Sequence, residues 1–345
     1  MGNKPRKPDR DAYIYASARL HAVGNAIPDA AQYRRMADAA GMQELYRLME
    51  EAGVSFRGEE SENEETCLQR ILSDAFGLVD EIVPDRQLFD FFRYPYDCHN
   101  IKSALKARFR MADGGYEARA GALMLPCGTL APDRVIEAVK ENRFDLFPEH
   151  MKQAAAEAAE SYAKTSDPQL IDVYLDRACY RDMEASAAGY RSGFFRELAA
   201  MREDVTNLQI CVRLLRMGCT GKAEKFRLAC VPAGKLEHGL FHEALCMEAR
   251  KGIAFLSERL SLTEAYSPVG EVLARETFKP AELEKVCEAC CTAFVRSSCR
   301  DVLYGPEVAA EYLTEREREV KNLRIILSGK HAGASAETIR ERLRD

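Results

Sequence analysis

Three stretches decide the fold: "DCHNIKSALK" (97–106), "DVTNLQICVR" (204–213) and "EVKNLRIILS" (319–328). Each places a carboxylate three positions before an Asn, an Ile or Leu directly after it, and apolar or small residues four and five positions beyond. Asn100, Asn207 and Asn322 lie 107 and 115 residues apart. Nine positions before each Asn stands Phe91, Leu198 or Leu313. The carboxylate of the first copy, after "YPYD", reads as a helix N-cap. The other copies argue against that, because their upstream residues "ELAAMRE" and "YLTERER" are helix formers that carry a helix through the motif. Asp204, Asn207, Leu208, Cys211 and Val212 then share one helix face. The Asn sits at the edge of an apolar stripe, able to donate to the carboxylate one turn back and to bond a neighbouring helix. A satisfied buried Asn fixes register more than it adds stability. Asp97, Asn100, Asp204, Asn207, Glu319 and Asn322 are therefore expected to be structural rather than catalytic or ligand-binding, and Asn207→Leu to fold while disturbing helix docking.

A second match is independent of the first. "ALMLPCGTLAPDRVIEA" (122–138) aligns without gaps to "LACVPAGKLEHGLFHEA" (228–244), pairing Pro126 with Pro232, Gly128 with Gly234, Leu130 with Leu236 and Glu137 with Glu243. The offset is 106, close to that of the first two Asn residues. In the third stretch this block shortens to "GKHAGASAETIRERLR", where Ser335 is expected to cap a last helix. The chain thus reads as a tail (1–9) and three related helical units, 10–145, 146–255 and 256–345. A period above about 100 residues signals a triplicated domain, not a solenoid. Three like units in head-to-tail contact close around an axis or leave a spiral. A pseudo-threefold body of this kind suits a connector between coaxial partners.

The rest of the sequence agrees with an all-α fold. "HMKQAAAEAAESYAK" and "EVAAEYLTEREREVKNLRIIL" combine helix formers with apolar residues at three- and four-residue spacing, and "ALMLPCGTL" is the nearest approach to a strand. The 345 residues are 47% hydrophobic and 30% charged, with a formal net charge of −6. That balance argues against free-standing nucleic-acid binding, which needs Lys and Arg in excess. "MGNKPRKPDRD" lacks the apolar core of a secretory leader, and Arg6 stands where a myristoylation motif wants Ser or Thr. No apolar run approaches the ~20 residues of a membrane helix. Twelve cysteines without a secretion signal point to a reducing compartment, with thiols serving as small apolar packing groups.

Motifs that resemble chemistry fail on inspection. "CEACC" (287–291) contains C-x-x-C, but Leu283, Cys287, Cys290 and Phe294 fall at helical spacing, so core thiols are expected. "HGLFHEALC" puts His238, His242 and Cys246 on one helix face, without the glutamate of the zincin motif. "GCTGKAEK" (218–225) has Ala223 where a P-loop needs Ser or Thr, and Gly218 and Gly221 are better read as ending a helix. No catalytic, cofactor-binding or metal-binding residue emerges. A thiol- or metal-dependent sensor built on Cys287, Cys290 and the His238–His242 face would be the reading from that class.

"YDCHNIKSALKARF", "EREVKNLRIILSGKHAGASAETIRERLR" and the opening "YIYASARLHAV…YRRMADAAGMQELYRLMEEAGV" together resemble the C subunits of bacterial and archaeal V/A-type ATPases, relatives of the d subunit of the eukaryotic vacuolar enzyme. The likeness runs over roughly residues 11–345. It implies a funnel-shaped, all-α protein of three pseudo-threefold units. Such a protein is a non-catalytic central-stalk (rotor) component that needs no cofactor. It lies peripherally on the cytoplasmic side of the membrane, seated on the proteolipid (c/K) ring and receiving the D and F subunits of the central shaft. It couples shaft to ring for ATP-linked proton or sodium transport. Gly128 and Gly234 are then candidate contacts in loops at one end. Glu319 in place of Asp, and the missing Pro-x-Gly block, predict that the third unit differs there. A generic helical protein-interaction scaffold is the alternative.

Overall fold

The computed structural model describes residues 8–54, 63–110, 115–190 and 192–344. Most of the N-terminal tail expected over 1–9 lies outside them. Among the described residues there is no β-strand, and seventeen α-helices carry the chain. They begin with α1 (Ile14–Gly24), α2 (Ala30–Asp38), α3 (Met42–Glu51) and α4 (Glu64–Ile82). Next come α5 (Asp90–Arg110), α6 (Tyr116–Gly121), α7 (Pro132–Glu141), α8 (Glu149–Thr165) and α9 (Gln169–Ala188). The run continues with α10 (Gly193–Met217), α11 (Lys222–Ala229), α12 (His238–Cys246), α13 (Ala249–Ser261) and α14 (Ser267–Leu273). It closes with α15 (Pro280–Cys299), α16 (Pro306–His331) and α17 (Ala336–Arg342).

Local chemistry sets many of these ends. Asp29 and Gln32 form a reciprocal capping box on α2, each side chain accepting from the other's backbone N–H at 2.8 Å. Asn63 caps α4 through Thr66 N at 2.8 Å. Ser335 accepts from Thr338 N at 3.2 Å and starts α17. α10 stops where Gly218 turns left-handed at φ 60°, a conformation glycine enters without a Cβ penalty.

The chain forms two compact units. One is Gln87–Glu276; the other joins Pro8–Arg86 to Thr277–Asp345. This division follows packing, and cuts across the sequence units 10–145, 146–255 and 256–345, which concern likeness between successive stretches. In the first unit α9 packs against α5, α8, α10 and α11. Phe89, Phe91, Phe92 and Phe195 form its aromatic centre, all fully buried, with edge-on pairs at 5.2–6.5 Å. That edge-to-face arrangement satisfies the ring quadrupoles. Lys102 Nζ on Asp176 (2.6 Å) and Lys106 Nζ on Asp172 (2.5 Å) tie α5 to α9 along the rim of that core.

In the second unit α16 is the centrepiece, packed against α1, α2, α4, α15 and α17. Its Leu313, Leu323 and Ile326 are wholly buried. Arg324 reaches across to Glu65 of α4 at 2.7 Å. A contact between residues so far apart in the chain has no signature in local periodicity.

Candidate functional site

The three Asn motifs lie inside single uninterrupted helices, α5, α10 and α16, so the N-cap reading of the first copy is excluded. Pro95 inside α5 removes one backbone donor without ending the helix. Asn100, Asn207, Asn322, Asp97 and Asp204 are fully buried, and Glu319 is 1% exposed.

Each Asn amide grips one extended backbone segment further along the chain, using both its donor and its acceptor. Asn100 donates to Leu125 O and accepts from Leu125 N, both at 2.8 Å. Asn207 donates to Val231 O at 3.3 Å and to Pro232 O at 3.0 Å, and accepts from Val231 N at 2.9 Å. Asn322 donates to Arg344 O at 2.9 Å and accepts from Arg344 N at 2.7 Å. The amide thus stands in for the edge of a second strand, satisfying peptide groups that are buried or part-buried against the helix. Register is set between a helix and an extended segment, not between two helices as the sequence suggested.

The carboxylates complete the clamp one turn back. Asp97 accepts from Thr129 N (2.9 Å), Leu130 N (3.3 Å) and the Thr129 hydroxyl (2.7 Å). Asp204 accepts from Lys235 N (3.0 Å), Leu236 N (2.9 Å) and the Tyr266 hydroxyl (2.6 Å). Thr129 with Leu130 and Lys235 with Leu236 are the residues that the sequence block pairs. Glu319 differs: its longer side chain accepts from Arg316 Nη1 at 2.6 Å on its own helix. Burial pushes the Asp97 carboxyl up to about 6, opposed by the Thr129 and Leu130 donors, so it is largely ionised at neutral pH. Burial likewise raises Asp204 and Glu319, against Tyr266 in one case and Arg316 in the other.

Gly128 and Gly234 lie directly against these carboxylates. A Cβ on Gly128 would stand 2.3 Å from Asp97 Oδ1. On Gly234 it would stand 2.1 Å from the Ala200 carbonyl oxygen and 2.6 Å from Asp204 Oδ1. The glycine of each Pro-x-Gly loop is therefore required by close approach to its helix.

The remaining candidates scatter. His238 Nε2 donates to Val231 O at 2.9 Å and buttresses the middle clamp, while His242 sits by Cys246, its Nδ1 3.8 Å from the sulfur. Cys287 and Cys290 are buried on α15, and burial pushes the Cys290 thiol up to about 11. Lys222 of "GCTGKAEK" donates to Met247 O at 3.0 Å, in a helical setting. Among the described residues, no group of three or more His, Cys, Asp or Glu is placed to hold a metal ion.

Sequence reading missed Glu203, beside Asp204. It is 3% exposed and its Oε1 has no hydrogen-bond partner among the described residues. Burial, with the charges of Glu184 and Asp204, pushes its carboxyl up from 4.5 to about 8. Because the folded value lies above the unfolded one, ionisation opposes folding; the cost is absent below about pH 4.5 and grows until about pH 8. Glu203→Gln should therefore stabilise the fold by on the order of 2 kcal/mol above pH 8 and by little near pH 4. Urea melts at the two pH values check this; an equal gain at both refutes it.

The family model described as "ATP synthase (C/AC39) subunit" matches residues 16–342. The C subunit of the A-type ATP synthase of Methanocaldococcus jannaschii is 22% identical over 357 aligned residues, covering 97% of this chain and 87% of the relative. A family match over nearly the whole length, on an all-helical body, places the chain in the ATP synthase (C/AC39) subunit family.

Proposed function

We propose that the protein is the rotor coupler of a V/A-type rotary ATPase. Its three clamped units, 10–145, 146–255 and 256–345, would be copies of one ancestral domain arranged as a funnel around an axis. One end would seat on the proteolipid ring, and the funnel would receive the D and F subunits of the shaft. The observation that carries this reading is the clamp itself. Three long helices, each holding a buried Asn at the same place in its motif, fasten a following segment by the same reciprocal pair of bonds. A triplicated, axially arranged body explains that recurrence.

The physical demand on such a part is stiffness. Close-packed interiors transmit strain instead of absorbing it, and the clamps pin loops that would otherwise yield under torque. The Pro-x-Gly loops around Gly128 and Gly234 would lie at one end, with Thr129 and Lys235 beside them to meet a neighbour. No reactive group is asked of the chain, and ATP chemistry and ion selectivity belong to its partners. No described helix is long and apolar enough to cross a membrane, so attachment on the cytoplasmic side would run through the ring. Affinity purification of the tagged chain from gently solubilised membranes should bring down proteolipid and shaft proteins together. Recovery of the chain without either, from membranes that retain ATPase activity, overturns the reading.

A further inference from the structure

The unit Gln87–Glu276 also carries a basic groove whose own carboxylates neutralise it only in part. Two cavities adjoin at Arg177 of α9. One, about 520 Å³, is bounded by Arg177 and by Glu224, Lys225, Arg227 and Leu228 of α11. The other, about 220 Å³, runs between α8 and α9 past His150, Glu157, Tyr174, Arg177 and Arg181. Four cations thus face two carboxylates, a positive surplus on a chain whose formal charge is −6.

Neither those two carboxylates nor the ones nearby on α9 cancel the surplus. Glu224 is paired with Arg227 at 2.9 Å, which leaves Arg177, Arg181 and Lys225 facing the single carboxylate of Glu157, itself held by Gln153 at 2.8 Å. On α9, Asp172 is taken by Lys106 and Asp176 by Lys102. Asp182 accepts from His150 N, Met151 N and the His150 ring at the start of α8. Among the described residues Arg177 keeps only a 3.4 Å bond to Leu228 O. Arg181 and Lys225 make no hydrogen bond or ion pair with any described residue.

The spacing of these cations selects the ligand. Arg177 and Arg181 stand one helical turn apart, about 5–6 Å, with Lys225 beyond Arg177 along the groove. A single phosphate needs several donors converging on one point, whereas cations strung along a groove match carboxylates strung along a helix. Tyr174 and Leu228, the latter 46% exposed, add apolar contact on either side of Arg177. We infer that this groove docks an acidic helical segment of a neighbouring protein, with Arg177 and Arg181 each taking a carboxylate from successive turns. The inference does not depend on the rotor reading.

The test uses the full chain and a fluorescein-labelled helical peptide of EAAA repeats, with a QAAA peptide as control, in about 50 mM salt where charge attraction is weakly screened. Anisotropy should show saturable binding of the Glu peptide, about ten-fold or more tighter than the Gln peptide. R177E/R181E should abolish it. R134E/K140E, at two exposed positions of α7, makes the same charge change elsewhere and should leave it intact, and R181A, which removes no bond to a described residue, should weaken it. Equal binding of both peptides, or equal loss in the two double variants, overturns the inference. So does failure of the peptide while phosphatidylserine vesicles bind the chain through Arg177 and Arg181, which would assign the groove to a lipid surface.

Discussion

Asp204→Ala should destabilise the Gln87–Glu276 unit by about 3–5 kcal/mol. The side chain is fully buried and accepts from Lys235 N, Leu236 N and the Tyr266 hydroxyl. Its removal strands the buried Tyr266 hydroxyl and two part-buried loop amides, at about 1–3 kcal/mol each. Part of that is returned, because burial already makes the ionised carboxyl expensive. The loss should show as faster hydrogen exchange at the amides of Lys235 and Leu236. A double-mutant cycle sharpens the test. Tyr266→Phe alone should cost about 1 kcal/mol, and nothing further once Asp204 is gone. Additive costs, or unchanged exchange at both amides, would show that the clamp does not hold this loop.

Gly234→Ala should cost about 3 kcal/mol, and clearly more than Gly128→Ala. The two glycines are paired in sequence and both approach a carboxylate, but what their Cβ atoms would strike differs. At Gly128 the obstacle is Asp97 Oδ1, the end of a side chain that can shift at the expense of its bonds to Thr129 and Leu130. At Gly234 it is the Ala200 carbonyl oxygen, 2.1 Å away and fixed in the backbone of α10. The loop itself must lift, taking the Asp204 bonds with it. Thermal unfolding of the two variants side by side decides the matter, and equal shifts would contradict the geometry. Asn207→Leu belongs to the same series. It keeps α10 helical but leaves Val231 N and Pro232 O unpaired, so its effect should appear in the loop before the helix.

The placement of Asn207 and Asn322 within long helices was legible, because helix formers on both sides leave nowhere for the helix to start or stop; for Asn100, after "YPYD", only the analogy with those two copies pointed to it. The pairing of the Pro-x-Gly blocks was legible too, since Thr129 and Lys235, aligned by offset alone, prove to make the same bond to an aspartate. What lies over the Asn face was not. Spacing along a helix shows which residues share a side but not which distant segment covers it, and both the Leu125 and the Val231 peptides lie beyond a further short helix, α6 or α11. The same limit hid why Gly128 and Gly234 are glycines, and hid α16 packing on α4 and α1. Glu203 gave no signal because a lone Glu in a charged helix looks like surface.

An amide closed on a peptide is an uncharged fastening. Brine and acid, which loosen ionic ties such as Arg296–Glu315 or Lys102–Asp176, have nothing to act on at Asn100, Asn207 or Asn322. At these three buried moorings the amide bonds are therefore insensitive to the ionic weather around the molecule, while the Asp97 and Asp204 carboxylates one turn back are the part of the clamp that acid can reach.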